Sequence, residues 1–369
     1  MALAFKRGLL SKQQIQNAIL AQHEAAKQGL RKSLDEMLVT KGYVTLEQLN
    51  ELKQQMPGKG ATRRFGDYEL LSVLGTGGMG TVYKARQVSM ERIIALKILH
   101  SDLAQDQELL QRFQREARAV AKLNHPNIVV GIDVGQTNGR HFLAMEYIEG
   151  ESLDRRLERN GGKIAEADAL EIVRQIALAL HHAHERNYVH RDVKPENVML
   201  TFEGAAKLMD LGLARAMGPQ FQPLTKDGLA VGTPHYISPE QAQGVKDLTP
   251  GTDLYSLGVV LFQAVSGRLP FESANFPEVM LQHVNDPPPD PRTFNPRVSE
   301  PVAKLILKLL EKEPTHRYPS GQALAEDLER ILRGEPPKGL NATAVIQAPR
   351  GDEPAKRKRR GTGNRLSFE

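Results

Sequence analysis

The sequence predicts an α+β chain of two lobes, a small β-rich lobe followed by a larger helical one, with a small helical module in front. Three observations lead there. Residues from Tyr68 to about Leu99 alternate around a glycine cluster, as strands joined by a tight turn do. Ala169, Ile172, Val173, Ile176, Leu180 and Ala183 recur at helical spacing and mark a long core helix in the second half of the chain. Residues 1–56 are rich in Gln, Leu and Lys, again with helical spacing.

The leading module carries a weak internal repeat, in which Gly8, Leu10, Ser11, Gln14 and Ile15 return as Gly42, Val44, Thr45, Gln48 and Leu49. Each copy contains a Ser/Thr-x-x-Gln capping box: the hydroxyl accepts from the third helical N–H while the glutamine reaches back to the cap. A helix is therefore expected just after each glycine turn. Pro57, Gly58, Gly60, Arg63 and Arg64 break the pattern and predict a solvated linker over 57–64. The main domain is expected over 65–334, its first lobe at 65–148 and its second at 149–334. Residues 335–369, rich in Pro, Gly and charge, are expected to form a disordered basic tail.

Composition narrows the class. The 369 residues are 40% hydrophobic, which suits a folded domain with a sizeable core. The formal charge is only +5, and the densest basic run, Lys356 to Arg360, lies in the tail, so specific nucleic-acid binding is not expected. There is no cysteine, which removes disulfides, thiolate metal sites and cysteine nucleophiles and fits a reducing compartment. Leu257 to Val265, among the longest apolar stretches, falls well short of the roughly 20 residues of a membrane helix. Lys6 and Arg7 stand too early for a signal-peptide apolar region. A cytoplasmic protein with no membrane span is the expectation.

The glycine cluster reads Leu74, Gly75, Thr76, Gly77, Gly78, Met79, Gly80, Thr81 and Val82. Glycines at 75, 77 and 80 would let backbone close over phosphates, where a Cβ would block the approach. Dinucleotide-binding proteins share this spacing, but they follow it with a helix, and here a strand is expected over Val82–Arg86. Ala95, Leu96 and Lys97 fall on the next strand, where the lysine could meet the α- and β-phosphates with Glu116 of the following helix as its partner.

His190, Arg191, Asp192, Val193, Lys194, Pro195, Glu196 and Asn197 come next, followed by Asp210, Leu211 and Gly212. With these segments in this order the chain resembles the bacterial eukaryote-like (Hanks-type) serine/threonine protein kinases, over about Phe65 to Arg333. The resemblance implies a bilobal protein kinase fold, ATP and Mg2+ (or Mn2+) as cofactors, and protein substrates. It makes Asp192 the group that takes or orients the proton of the attacking hydroxyl and Lys194 the cation on the γ-phosphoryl. It makes Asn197 and Asp210 the metal ligands, oxygen donors being what a hard cation prefers. Lys194 two residues after Asp192, and Thr233 between Gly232 and Pro234, match the Ser/Thr group rather than the tyrosine kinases.

The same resemblance assigns the adenine pocket to Val82, Ala95 and Met199, with the backbone of Glu146 to Ile148 supplying hydrogen bonds and Met145 behind them. It pairs Glu240 with Arg317 and lets Asp253 brace the backbone of the catalytic loop. Arg191 beside Asp192 implies activation-loop phosphorylation, and Thr225 is the expected autophosphorylation site. Leu211 stands where the family has Phe, and Ser238 where it has Ala before Pro239 and Glu240; the leucine still fills an apolar slot and Glu240 is kept. His181, His182 and His184 close the core helix and are read as packing and surface residues.

Residues 1–56 resemble the helical domain at the start of type II secretion ATPases. Ser33, Leu34 and Asp35 replace that family's Arg-Leu-Gly, putting a carboxylate where a phosphate-binding cation stood. The module is therefore expected to serve a homodimer or a protein partner rather than a cyclic dinucleotide. The competing reading is a pseudokinase scaffold, which such chains reach by losing the lysine or either aspartate; Lys97, Asp192 and Asp210 are all present.

Overall fold

The computed structural model describes residues 63–77, 80–100, 123–210 and 234–340, together with 34–45 and scattered positions between 10 and 21. The chain divides into two compact units, one of residues 1–150 with 209–231, the other of 151–208 with 232–369.

In the first unit the leading segment shows the first of the two expected caps. The Ser11 backbone N–H donates to Gln14 Oε1 at 2.8 Å, and the Gln14 N–H donates to Ser11 Oγ at 3.2 Å. Further on, helix α1 (Leu34–Thr40) ends in a turn at Gly42, whose φ of +67° is the left-handed conformation glycine tolerates.

The body of this unit is a six-stranded antiparallel sheet in the order β1-β2-β3-β4-β6-β5. Its strands are β1 (Arg63–Phe65), β2 (Tyr68–Gly77), β3 (Gly80–Gln87), β4 (Arg92–Leu99), β5 (Gly131–Thr137) and β6 (Arg140–Glu146). Arg63 and Arg64 pair with Leu70 and Glu69, so these two residues belong to the sheet and not to the linker expected over 57–64. Strand pairing outweighs their charge because β1 needs only one ordered neighbour, and the exposed Arg64 side chain donates to the Gly66 carbonyl at 3.2 Å.

The period of two sorts β4 into two faces. Ile94, Leu96 and Ile98 pack with Phe65, Tyr68, Ala85, Phe142 and Ala144. Ala95 and Leu99 face the other way, against Val129, Leu143 and Met145 with Val82, Val134, Ile148 and Met209 around them. Lys97, between Ala95 and Leu99, is thereby carried onto the second face.

The second unit is helical. Its members are α2 (Leu153–Arg159), α3 (Glu166–His184), α4 (Pro239–Ala242), α5 (Pro250–Ser266), α6 (Phe276–Asn285), α7 (Glu300–Leu309) and α8 (Gly321–Leu332), with a small sheet of β7 (Gly150–Ser152), β8 (Val198–Thr201) and β9 (Ala206–Leu208). All six residues of the expected apolar stripe are buried along α3. Helix α5 is buried nearly all round, from Gly251 to Ser266, as a helix at the centre of a domain must be.

Residues just beyond α8, expected to begin the tail, are fastened to it. Asp327, 2% exposed, accepts backbone N–H bonds from Lys338 at 2.7 Å and Gly339 at 2.8 Å, and the Tyr318 hydroxyl at 2.8 Å. Lys308 Nζ donates to the Gly339 carbonyl at 2.6 Å, and Pro337 is buried. A Cβ on Gly339 would lie 2.7 Å from Asp327 Oδ2 and 2.9 Å from the Tyr318 ring, so only glycine lets the backbone settle here. The ordered chain thus reaches past 335, because a buried carboxylate needs donors and this stretch of backbone supplies them. The Lys356–Arg360 run lies outside the described residues.

Candidate active site

Within the first unit, the β2–β3 hairpin ends at the glycine cluster, with Thr76 opposite Thr81 and Gly77 opposite Gly80. The glycines differ. A Cβ on Gly80 would come within 2.3 Å of the Ile98 carbonyl oxygen, so close approach of β3 to β4 demands glycine there. At Gly75 and Gly77 no described residue lies within 4 Å of where a Cβ would stand, which leaves room that an incoming ligand can use. Leu74, Thr76, Thr81 and Val82 flank them on the two strands, and Gly78 and Met79 lie outside the described residues.

On the inner face, Lys97 is 8% exposed and its Nζ stands 2.8 Å from Asp210 Oδ1. Asp210 holds φ at +55°, a conformation costly for any residue with a Cβ. That strain turns the carboxylate back toward Lys97 immediately after Met209, which packs with Ala95, Val82, Met145 and Ile148. Ala95 pairs with Met145 across β4 and β6, and the Glu146 N–H donates to the Val130 carbonyl at 2.9 Å. Glu116, the expected partner of Lys97, lies outside the described residues; among the described residues Lys97 pairs with Asp210.

Within the second unit, the loop from His190 to Asn197 is built around Asp253, a fully buried aspartate on α5. Asp253 accepts the His190 N–H at 2.8 Å and the Arg191 N–H at 2.7 Å, and His184 Nε2 donates to it at 2.7 Å. The Arg191 carbonyl in turn accepts from Gln241 Nε2 at 2.8 Å. Held from both sides, Arg191 keeps φ at +70°. The strained turn presents Asp192, whose N–H donates to His190 Nδ1 at 3.2 Å. The Asp192 carboxylate meets Lys194 Nζ at 2.8 Å and accepts Asn197 Nδ2 at 2.9 Å, and the same amide also donates to the Asp192 carbonyl. Met199 follows on β8, half-buried.

Sequence reading did not find His184 and Gln241. His184 was read as packing, and no pattern ties it to Asp253 at a distance of 69 residues; Gln241 carried a signal only as the third residue after Ser238, where it closes a capping box on α4. Thr225 and Thr233 lie outside the described residues.

Behind the loop, Glu240 and Arg317 form the expected pair at 2.8 and 2.9 Å, two parallel bonds. The other three guanidinium donors reach the carbonyls of Gly251, Glu311 and Lys312, each at 2.8 Å, so all five N–H groups are used. Burial raises the Glu240 carboxyl, but the Arg317 hydrogen bond and charge, with the Thr252 hydroxyl, outweigh it and hold it below its ordinary value.

The sequence profile of the protein kinase domain matches residues 68–328. The chain belongs to the protein kinase family. Among its relatives the kinase is similar to the serine/threonine-protein kinase PrkC of Bacillus subtilis, 39% identical over 73% of this chain and 40% of PrkC. It is also similar to the serine/threonine-protein kinase PknB of Mycobacterium tuberculosis, 37% identical over 73% of this chain and 44% of PknB. The chain thus spans less than half the length of these curated relatives. The crystal structure of the Mycobacterium tuberculosis PknI kinase domain superposes with a TM-score of 0.59 at 28% identity, covering 74% of this kinase and 98% of that chain. No helix among the described residues is long and apolar enough to cross a membrane.

Proposed function

We propose that this kinase transfers the γ-phosphoryl group of Mg-ATP to serine and threonine hydroxyls of proteins. The observation that carries the reading is the Asp192 carboxylate gripped by both Lys194 and Asn197 on a strained, buried-aspartate-braced loop. A carboxylate so fixed can accept the proton of an attacking hydroxyl, while Lys194 supplies positive charge one side chain away. Lys97 supplies a second cation in the unit that carries the open-faced glycines, and Glu116 is its further partner in this reading. Val82, Ala95 and Met199 offer apolar surface for adenine, with the Glu146 and Ile148 backbone as hydrogen-bonding groups.

The donor set suits a hard divalent cation. Asn197 spends its amide N–H groups on Asp192, which leaves its oxygen for a metal, and Asp210, which meets Lys97 through Oδ1, has a second carboxylate oxygen to offer. Bound Mg2+, or Mn2+ in its place, neutralises charge on phosphate oxygens. The chain's own residues orient the hydroxyl, hold its proton and fix the phosphates.

Arg191 supports regulation by phosphate on the activation segment, with Thr225 as the acceptor and Thr233 as a support of the catalytic loop. Residues 1–56 are proposed to bind a second copy or a protein partner. The absence of cysteine supports a cytoplasmic location.

Label transfer from γ-labelled ATP with Mg2+ tests the reading. Wild type labels itself and a basic acceptor protein, with phosphate on Thr225 by mass spectrometry. Asp192→Asn lowers the rate by ~10²–10⁴-fold, the span of general acid–base contributions. Equal labelling by both proteins would remove Asp192 from the chemistry.

A further inference from the structure

Strand β4 ends at Leu99, which pairs with Gly80 at the root of the glycine hairpin. The register continues the chain under the hairpin tip, and the next residue is His100. Its ring reaches past β3 to the opposite strand: His100 Nε2 stands 3.1 Å from the carbonyl oxygen of Gly77. A carbonyl can only accept, so Nε2 carries the hydrogen. Among the described residues no other side chain hydrogen-bonds to the backbone of 75–77, 80 or 81; there the two strands are otherwise held by their cross-strand pairs.

The surroundings show why one such bond matters. Gly80 lies so close to β4 that a Cβ there would stand 2.3 Å from the Ile98 carbonyl oxygen. The β3 side of the tip is therefore fixed by packing. On the β2 side no described residue comes within 4 Å of where a Cβ on Gly75 or Gly77 would lie, and glycine has large backbone freedom, so among the described residues no packing holds that side. The imidazole ties the free side to the end of β4, the strand that also carries Lys97. One rigid strand then sets both the lysine and the loop carbonyl nearest the hairpin tip.

We propose that His100 is a positioning residue for nucleotide binding, holding the Gly77 carbonyl so that the β2 arm of the glycine loop is ordered before ATP arrives. This rests on the kinase reading above. Ordering the loop in advance lowers the entropy lost on binding, so the tether acts on nucleotide affinity and not on the protein acceptor.

The test compares wild type, His100→Ala and His100→Gln, the last placing an amide N–H near the Nε2 position. With the acceptor protein saturating, His100→Ala raises KM for ATP by about 3- to 10-fold, the worth of one net hydrogen bond. KM for the acceptor and the thermal midpoint stay at wild-type values, and His100→Gln recovers most of the ATP effect. In the nucleotide-free protein, amide hydrogen exchange over 75–81 is faster in His100→Ala than in wild type and is slowed again by glutamine. An unchanged KM for ATP in an active His100→Ala enzyme overturns the proposal, as does a loss shared equally by ATP, acceptor and thermal stability. If wild type transfers no phosphate the kinase reading fails instead, and the exchange comparison still decides whether the tether orders the loop.

Discussion

Gly80 and Gly77 are three residues apart in one hairpin, yet the structure asks different things of them. A methyl on Gly80 meets the Ile98 carbonyl at 2.3 Å, closer than any real contact, and the obstacle is backbone that cannot swing aside. Gly80→Ala is expected to cost roughly 1–3 kcal/mol of stability, the usual penalty of forcing a group into packed space. Gly77→Ala meets no described residue, so its stability should stay within about 0.5 kcal/mol of wild type while ATP binding weakens, because in the kinase reading the methyl occupies room a phosphate would use. Urea unfolding read beside nucleotide titration separates the two; equal stability loss in both variants would refute the distinction. The sequence could show that glycines recur at 75, 77 and 80, but spacing cannot tell a glycine required by a neighbouring strand from one facing a ligand. The same limit applies at Lys97. Its place on a strand was legible, whereas its partner among the described residues, Asp210, is reached through a positive-φ turn no pattern announces.

At the scale of elements, legibility followed periodicity. The α3 stripe and the strands around the glycine cluster repeat at 3.6 and 2, and both were readable to within a few residues. The ends of the domain were not. Arg63 and Arg64 look like linker because charge dominates the local composition, yet each finds a partner on β2. Glu335 to Gly339 look like tail because Pro and Gly dominate, yet Asp327 captures their backbone. Only the position of a buried carboxylate 11 residues upstream of Lys338 explains that docking, and nothing in a one-dimensional pattern marks it as buried. The docked segment should therefore behave as part of the domain. A chain ending at 340 is expected to unfold at the same urea concentration as one ending at 369. A chain ending at 334 should lose about 1.5–3 kcal/mol, the worth of one net charge-assisted bond, because water re-solvates the carboxylate it uncovers. Identical midpoints for the chains ending at 334 and 340 would show that the strap contributes nothing.

Across the whole helical unit, buried ionisable groups set how stability follows pH. His283 on α6 is fully buried, its Nδ1 2.8 Å from the Tyr255 hydroxyl and its ring edge-on to Phe271. Burial, reinforced by the nearby Lys312 charge, lowers its pKa from 6.5 to about 3. The unfolded chain takes up a proton on this ring below 6.5 that the folded chain refuses until about 3, so its contribution is complete above 6.5 and drains away as pH falls between those values. The slope is about 1.4 kcal/mol per pH unit, or roughly 2 kcal/mol by pH 5. Glu240 has the same sign but a lower window: its pKa is depressed from 4.5, so its loss begins only near and below that value. Lys312, brought down to about 8 by burial, is largely charged in both states below pH 7.5 and adds little to the slope there. Between pH 7.5 and 5 the loss of stability on acidification, read by thermal and urea unfolding, therefore comes from the histidines, among which His235 and His182 are also lowered by burial, while Glu196, raised by burial, acts in the opposite direction. His283→Asn keeps an acceptor for Tyr255 but cannot titrate. It should be less stable than wild type at pH 7.5, where only the lost ring counts, and its stability should fall less steeply toward pH 5. Parallel curves for the two proteins would mean that His283 takes up its proton without unfolding the unit, and that its burial is not what makes the domain acid-sensitive.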